Sequence, residues 1–377
     1  MGVIMSRPWF IVSKPLRAPF RDGSTVLIRD LVTRMPGDRP LVYLGDPRQP
    51  LRICIHRATA DTILDHPAMG YSPGLFAKIR VLLAMLHPRR RGLPVHLCFT
   101  PNPITSRAVA LLRWLQPRRV LVQSLMSAHG CEAWVSLLRP LDAIVVLSDH
   151  TRQRLITAGV DPKKLHRIYP AVAAVAADPP DEVAVRKRLL YAGDLDLEVA
   201  ARLIAVARSL AAPDMSGWSL TIACRPKSDT DVVARDLLRS ALPTELASGR
   251  VRLLGEVDDM DALLRSASLQ LYAADHVRRK VDIPLVLLEG LARGVPVVAV
   301  DADPVRELFM VGARVGLVAG AAAPADPQGF ADAVAGQCRP ETLRAGSSAA
   351  AALADREFSL DRMVQCYVAL HDALEAS

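Results

Sequence analysis

Residues 280–299 read Lys280-Val281-Asp282-Ile283-Pro284-Leu285-Val286-Leu287-Leu288-Glu289-Gly290-Leu291-Ala292-Arg293-Gly294-Val295-Pro296-Val297-Val298-Ala299, with Pro284, Gly294 and Pro296 as punctuation. Pro284 suits a first helical turn, where its missing N–H is one the helix does not use. Gly294 ends that helix, and Pro296 opens a buried strand. The amides of Leu285, Val286 and Leu287 are predicted to point outward at the helix N-terminus, where backbone donors and dipole favour an anion. Glu289, one turn on, lies beside that opening. The plainer reading is an amphipathic helix before a core strand, with Glu289 solvated.

Working outward, short apolar runs alternate with helical patterns. Strands are predicted at 9–13, 41–44, 52–56, 95–99, 120–125, 143–147 and 165–169. Helices are predicted between them at 24–35, 75–86, 106–115, 132–138 and 150–158. Residues 173–182 contain Pro179-Pro180 and few large apolar side chains, and read as a linker. Alternation restarts with strands at 189–192, 220–224, 251–254, 269–273, 295–300 and 316–319. The helices there are 198–210, 231–241, 260–265, 285–293 and 329–337. Such alternation implies α/β architecture with doubly wound parallel sheets. Two domains follow, 1–178 and 179–358, with a C-terminal helix at about 359–377 packing back on the first. Ligands of such sheets bind at the strand C-terminal ends, so a cleft between the two domains is expected.

The length of 377 residues suits two domains. An apolar share of 51% excludes disorder as a description of the whole chain. No apolar run approaches the roughly 18 residues of a membrane span. Arg7, Pro8 and Lys14 interrupt any signal-peptide pattern. Six scattered cysteines without a Cys-x-x-Cys suggest a reduced, cytoplasmic protein, and the histidines lack paired metal spacing. The charge of +8 is segregated: residues 1–178 hold 25 Lys+Arg and 11 Asp+Glu, and residues 179–377 hold 22 and 28. A basic first half suggests an anionic partner. Residues 74–91 place Leu75, Phe76, Ile79, Leu82, Leu83 and Leu86 ahead of Arg89-Arg90-Arg91. They read either as a core helix with a solvated basic end or as a peripheral contact at the inner face of an anionic membrane. Few aromatics and no recognition motif argue against nucleic acid.

Residues 280–299 resemble the donor segment of the retaining GT-B glycosyltransferases of family 4, with its E-x7-E pattern, small-residue helix and Gly-x-Pro-Val-Val-Ala. Residues 250–268 resemble that family's strand, Gly-x-Val turn (Gly255-Glu256-Val257) and helix. Residues 142–158 with 165–172 resemble the segment closing its first domain. The resemblance implies a GT-B fold with two Rossmann-like domains. It implies transfer of a sugar from a nucleoside-diphosphate sugar to an acceptor hydroxyl, with retention and without metal or cofactor. On that reading Glu289 accepts from a ribose diol. Pro284, Leu285 and Val286 form the pyrophosphate end, and Gly23, Gly193, Asp194 and Val257 line the donor. Asn102 and Thr105 face the acceptor, or merely cap a helix. Ser24 or Thr25 caps the helix after Gly23.

The sequence also departs from the family. The first Glu of E-x7-E falls at Val281, and adjacent Asp282 is the candidate to contact the sugar. The family's Gly-Arg and Lys after the first strand of the second domain are missing after Gly193. Arg225 and Lys227 from the next strand, and Lys280, are the replacement cations. The family's histidine falls near Met126, with His129 close by. These gaps support a rival reading, a GT-B-folded protein that has lost catalysis and serves as a binding or scaffolding partner.

Overall fold

Each described strand runs parallel to its neighbours, because a crossover and never a hairpin joins one to the next. The computed structural model describes residues 8–16, 20, 22–36, 40–45, 54–57, 74–127, 129–277 and 280–376. The chain forms two compact units. One comprises Met1–Ala171, Arg278–Asp282 and Leu360–Ser377; the other comprises Val172–Val277 and Ile283–Ser359. Residues 172–178, expected with the first half, group with the second: the Val172 amide donates to the Phe358 carbonyl at 3.0 Å.

The first unit holds β1 (Trp9–Ser13), β2 (Pro40–Gly45), β3 (Cys54–Arg57), β4 (Val95–Cys98), β5 (Leu121–Leu125), β6 (Ala143–Val146) and β7 (Leu165–Arg167), in the order β3-β2-β1-β4-β5-β6-β7. Its helices are α1 (Gly23–Arg34), α2 (Leu75–Leu86), α3 (Pro103–Leu115), α4 (Val135–Leu138), α5 (Asp149–Thr157) and, after the second unit, α15 (Leu360–Ala376). The second unit holds β8 (Arg188–Ala192), β9 (Ser219–Ala223), β10 (Val251–Leu254), β11 (Leu269–Tyr272), β12 (Val297–Val300) and β13 (Gly320–Ala323), in the order β10-β9-β8-β11-β12-β13. Its helices are α6 (Pro180–Val185), α7 (Leu197–Ser209), α8 (Asp229–Ala241), α9 (Pro243–Ala247), α10 (Met260–Arg265), α11 (Leu285–Ala292), α12 (Arg306–Arg314), α13 (Pro327–Gln337) and α14 (Pro340–Glu357). Both sheets are doubly wound, and the chain reverses direction across the sheet at β1/β4 and at β8/β11.

The strand expected at 316–319 lies four residues later. Helix α12, which the sequence reading did not include, closes with the Leu317 amide on the Gly312 carbonyl at 2.8 Å. The chain pairs with β12 only from Gly320, whose φ of 148° and close approach to Val297 exclude a side chain. Helices α6, α9 and α14 were also not expected. The stretch at 132–138 is a 3₁₀ turn, Cys131–Trp134, followed by α4.

A buried polar seam secures α15 in the first unit. Trp9 stacks on His371 with ring centroids 3.5 Å apart, and its Nε1 donates to Glu375 at 2.6 Å. His96 Nε2 lies 2.7 Å from Ser124 Oγ, which lies 3.1 Å from the Tyr367 hydroxyl. Burial pushes the His96 pKa down to about 3. An unfolded histidine takes its proton near 6.5, so the unfolded state binds more protons at every pH between these values. Stability is therefore complete above pH 6.5 and falls as the pH drops. The loss should reach about 2–3 kcal/mol by pH 4.5, at roughly 1.4 kcal/mol per unit. Denaturant unfolding at pH 7.5 and 4.5 checks this, and His96→Gln should show a smaller difference between the two.

Candidate active site

In a doubly wound sheet the point where the chain reverses leaves a crevice at the strand C-terminal ends. In the second unit that point is β8/β11. After β8 the chain turns at Gly193, with the Tyr191 hydroxyl donating to the Asp194 carbonyl. A Cβ on Gly193 would stand 2.8 Å from that hydroxyl, so the tight turn requires glycine. Asp196 caps α7 by accepting from the Val199 amide at 2.9 Å, and His276 Nε2, after β11, lies 3.2 Å from its carboxylate. Lys227, after β9, places Nζ 2.7 Å from Asp194 Oδ1. Arg225 lies 3.2 Å from Glu256, next to Val257 in the turn after β10. Two of the three replacement cations named from the sequence, Arg225 and Lys227, therefore stand at this edge of the sheet, each already paired with an acid. Exposed pairs of this kind contribute at most about 1 kcal/mol, so a stronger anion can displace either carboxylate.

Helix α11 begins at the same edge. Pro284 is its N-cap residue, the helix starts at Leu285 as expected, and no side chain caps it. The Leu287 amide is used on the Pro284 carbonyl at 3.0 Å, so the outward donors at this end are Leu285 and Val286, not all three. Gln270 of β11 fixes the helix to the sheet, donating through Nε2 to the Leu287 and Val295 carbonyls at 3.3 Å each. A Cβ at Gly290 would fall 1.9 Å from that nitrogen, so only glycine allows the approach. Gly294, at φ 78°, ends the helix as expected. Glu289 is half-buried on the exposed side of α11, and its carbonyl accepts from Arg293 at 2.6 Å.

The remaining candidates belong to the first unit. Asp282 corrects the sequence reading. It is fully buried, and its Oδ2 accepts from Ser148 Oγ and Thr151 Oγ1 at 2.6 Å each, at the start of α5. This carboxylate is part of the capping of α5 and is closed to a sugar hydroxyl. Val281 is buried beside it, and Lys280 is half-buried. Asn102 and Thr105 form a reciprocal capping box on α3, with the Thr105 amide donating to Asn102 Oδ1 at 3.1 Å; this supplies the capping alternative for both. Asp22, not Ser24 or Thr25, caps α1, and Gly23 is the first helical residue. His129 is exposed in the turn after β5.

The sequence reading missed Tyr191, Asp196 and His276. Asp196 carried a usable signal, an Asp directly before a helical pattern. His276 carried none, since only the fold brings β11 beside the start of α7.

Residues 186–338 match the family described as Glycosyl transferases group 1. No curated protein sequence matches the chain. Among solved structures, Anabaena HepE in complex with UDP and glucose is similar at TM-score 0.70 and 18% identity, covering 97% of this chain and 99% of that one. Sucrose-phosphate synthase from Thermosynechococcus elongatus is similar at TM-score 0.71 and 15% identity, covering 98% and 100%. A glycosyltransferase from Rickettsia africae is similar at TM-score 0.70 and 10% identity, covering 98% of each chain. These likenesses are of fold, and the fold is GT-B. Residues 186–338 are therefore similar to a group 1 glycosyltransferase domain, within a chain whose fold is shared with solved glycosyltransferases.

Asp282→Asn should lower stability by about 1.5–3 kcal/mol, the range for losing hydrogen bonds to a charged group. Thermal unfolding beside Asn102→Ala, a simple cap deletion expected to cost about 1 kcal/mol, gives the comparison.

Proposed function

We propose that this enzyme takes a UDP-sugar as donor and transfers the sugar to an acceptor hydroxyl with retention of configuration, in the manner of family 4 and without a metal. The observation that carries the reading is the start of α11. It is a helix N-terminus with no side-chain cap, at the sheet edge where the tight Gly193 turn and Lys227 also stand. HepE, which shares the fold, was solved with UDP and with UDP-glucose. As the bond between the sugar C1 and the diphosphate oxygen breaks, negative charge grows on the departing UDP. The Leu285 and Val286 amides and the α11 dipole favour that charge. Lys227 exchanges Asp194 for a phosphate oxygen, Arg225 exchanges Glu256, and Glu289 accepts from the ribose diol. The acceptor oxygen forms the new bond to C1, and its proton offsets the charge left on UDP. Because Asp282 is closed, contact with the sugar falls to other groups, and His129 in its exposed turn remains a candidate.

Glu289→Ala should weaken UDP binding roughly 10- to 150-fold, equivalent to about 1.5–3 kcal/mol, with unfolding unchanged. Calorimetric titration of the folded variant measures this, and unaltered affinity would remove Glu289 from the ribose. Lys227→Ala should weaken UDP but leave uridine binding as it was. An equal loss for both ligands would mean damage to the loop and not loss of a phosphate contact.

A further inference from the structure

Helices α2 and α3 of the first unit present large apolar side chains to water. Phe76 is 85% exposed, Leu83 60% and Trp114 76%. The opposite faces of the same helices are seated in the core through Ala84, Met85, Val109 and Leu112. The exposed stripes are therefore the outer sides of well-packed helices. Arg119 fixes the two helices to each other at their C-terminal ends. Its buried guanidinium donates to the carbonyls of Met85 at 2.7 Å, Leu93 at 2.6 Å and Arg90 at 3.2 Å, and to Gln116 Oε1 at 2.9 Å. The basic turn at Arg89–Arg91 and the Trp114 end of α3 are thus held at one end of one surface.

The charge along this stretch of sequence has one sign. Between Asp65 and Glu132 the sequence has no acidic residue and nine Lys and Arg. Arg80, Arg89, Arg91, Arg107 and Arg118 are exposed, and among the described residues none pairs with a carboxylate. Elsewhere in this protein exposed arginines commonly do pair, as Arg34 does with Asp361 and Arg344 with Asp181. Apolar wedges ringed by arginines that lack a carboxylate partner among the described residues complement a surface that is oily inside and anionic at its boundary.

We propose that the α2–α3 face docks on the surface of an anionic phospholipid bilayer. Phe76, Leu83 and Trp114 enter the headgroup boundary, and Arg89 and Arg91 engage lipid phosphates. The helices lie in the interface, since no described helix is long and apolar enough to cross a membrane. This assignment is independent of the donor reading.

Co-sedimentation of the full chain with vesicles tests it. Binding is expected to phosphatidylcholine vesicles carrying 30 mol% phosphatidylglycerol, not to pure phosphatidylcholine, and should fade at 1 M salt. Arg89→Ser with Arg91→Ser should weaken partitioning roughly thirtyfold. Phe76→Ser with Trp114→Ser should abolish it while leaving UDP affinity unchanged. Tryptophan emission should shift to the blue on binding and be quenched by brominated lipid chains, and Trp114→Phe should bind without that quenching. No binding to the anionic vesicles, or equal binding with and without phosphatidylglycerol, overturns the proposal. So does a wild-type dimer in sedimentation velocity that Trp114→Ser dissolves, which would give this face to a second copy of the chain.

Discussion

A parallel strand cannot be followed directly by its neighbour, and this constraint shapes the protein. Every connection must travel the length of the sheet before the next strand pairs, and a helix is the economical way to do so. The chain winds one way from β1 to β3 and the other way from β4 onward, then repeats the scheme from β8 to β10 and from β11 to β13. Loops at the reversal diverge, because their helices leave toward opposite faces of the sheet. Gly193, Asp196 and His276 meet in the second unit for that reason. The site is a consequence of winding before it is a consequence of any one side chain.

At that edge the basic groups are not idle. Lys227 is held by Asp194, and Arg225 by Glu256. Such pairs keep long cationic side chains in place at little energetic cost, and they exchange readily for a stronger anion. The buried pairing at Asp282 is of another kind. Two hydroxyls at 2.6 Å in a site with no water access form a permanent element of the α5 cap. Solvent access separates the two behaviours, and it cannot be read from residue type.

Legibility in the sequence followed the same division. Strands whose apolar runs are continuous, such as β1 and β6, were legible nearly to the residue, because a sheet covered on both faces writes its pattern plainly. The α11 helix and its Gly294 stop were legible from local backbone chemistry. Helix α14 was not, since its run of Ala349–Ala352 and the small residues before it carry little hydrophobic contrast. Gly316–Ala319 looked like a strand because the closure of α12 depends on a carbonyl five residues back, which composition does not show. Asp282, Asn102 and Thr105 were identified as polar residues in suggestive positions. What the sequence lacked was the identity of their partners, which for Asp282 lie more than a hundred residues away.

The seam around Trp9 and His371 has a consequence for how the chain is made. The first strand of the first unit rests its indole on a ring supplied by the last helix. The second unit ends at Ser359, so all of its strands have left the ribosome before residues 360–377 are available. Domains ordinarily settle in the order of their synthesis. Here the half begun first is completed after the other, and its nascent sheet must wait, with Trp9 uncovered, until residues 360–377 have been made.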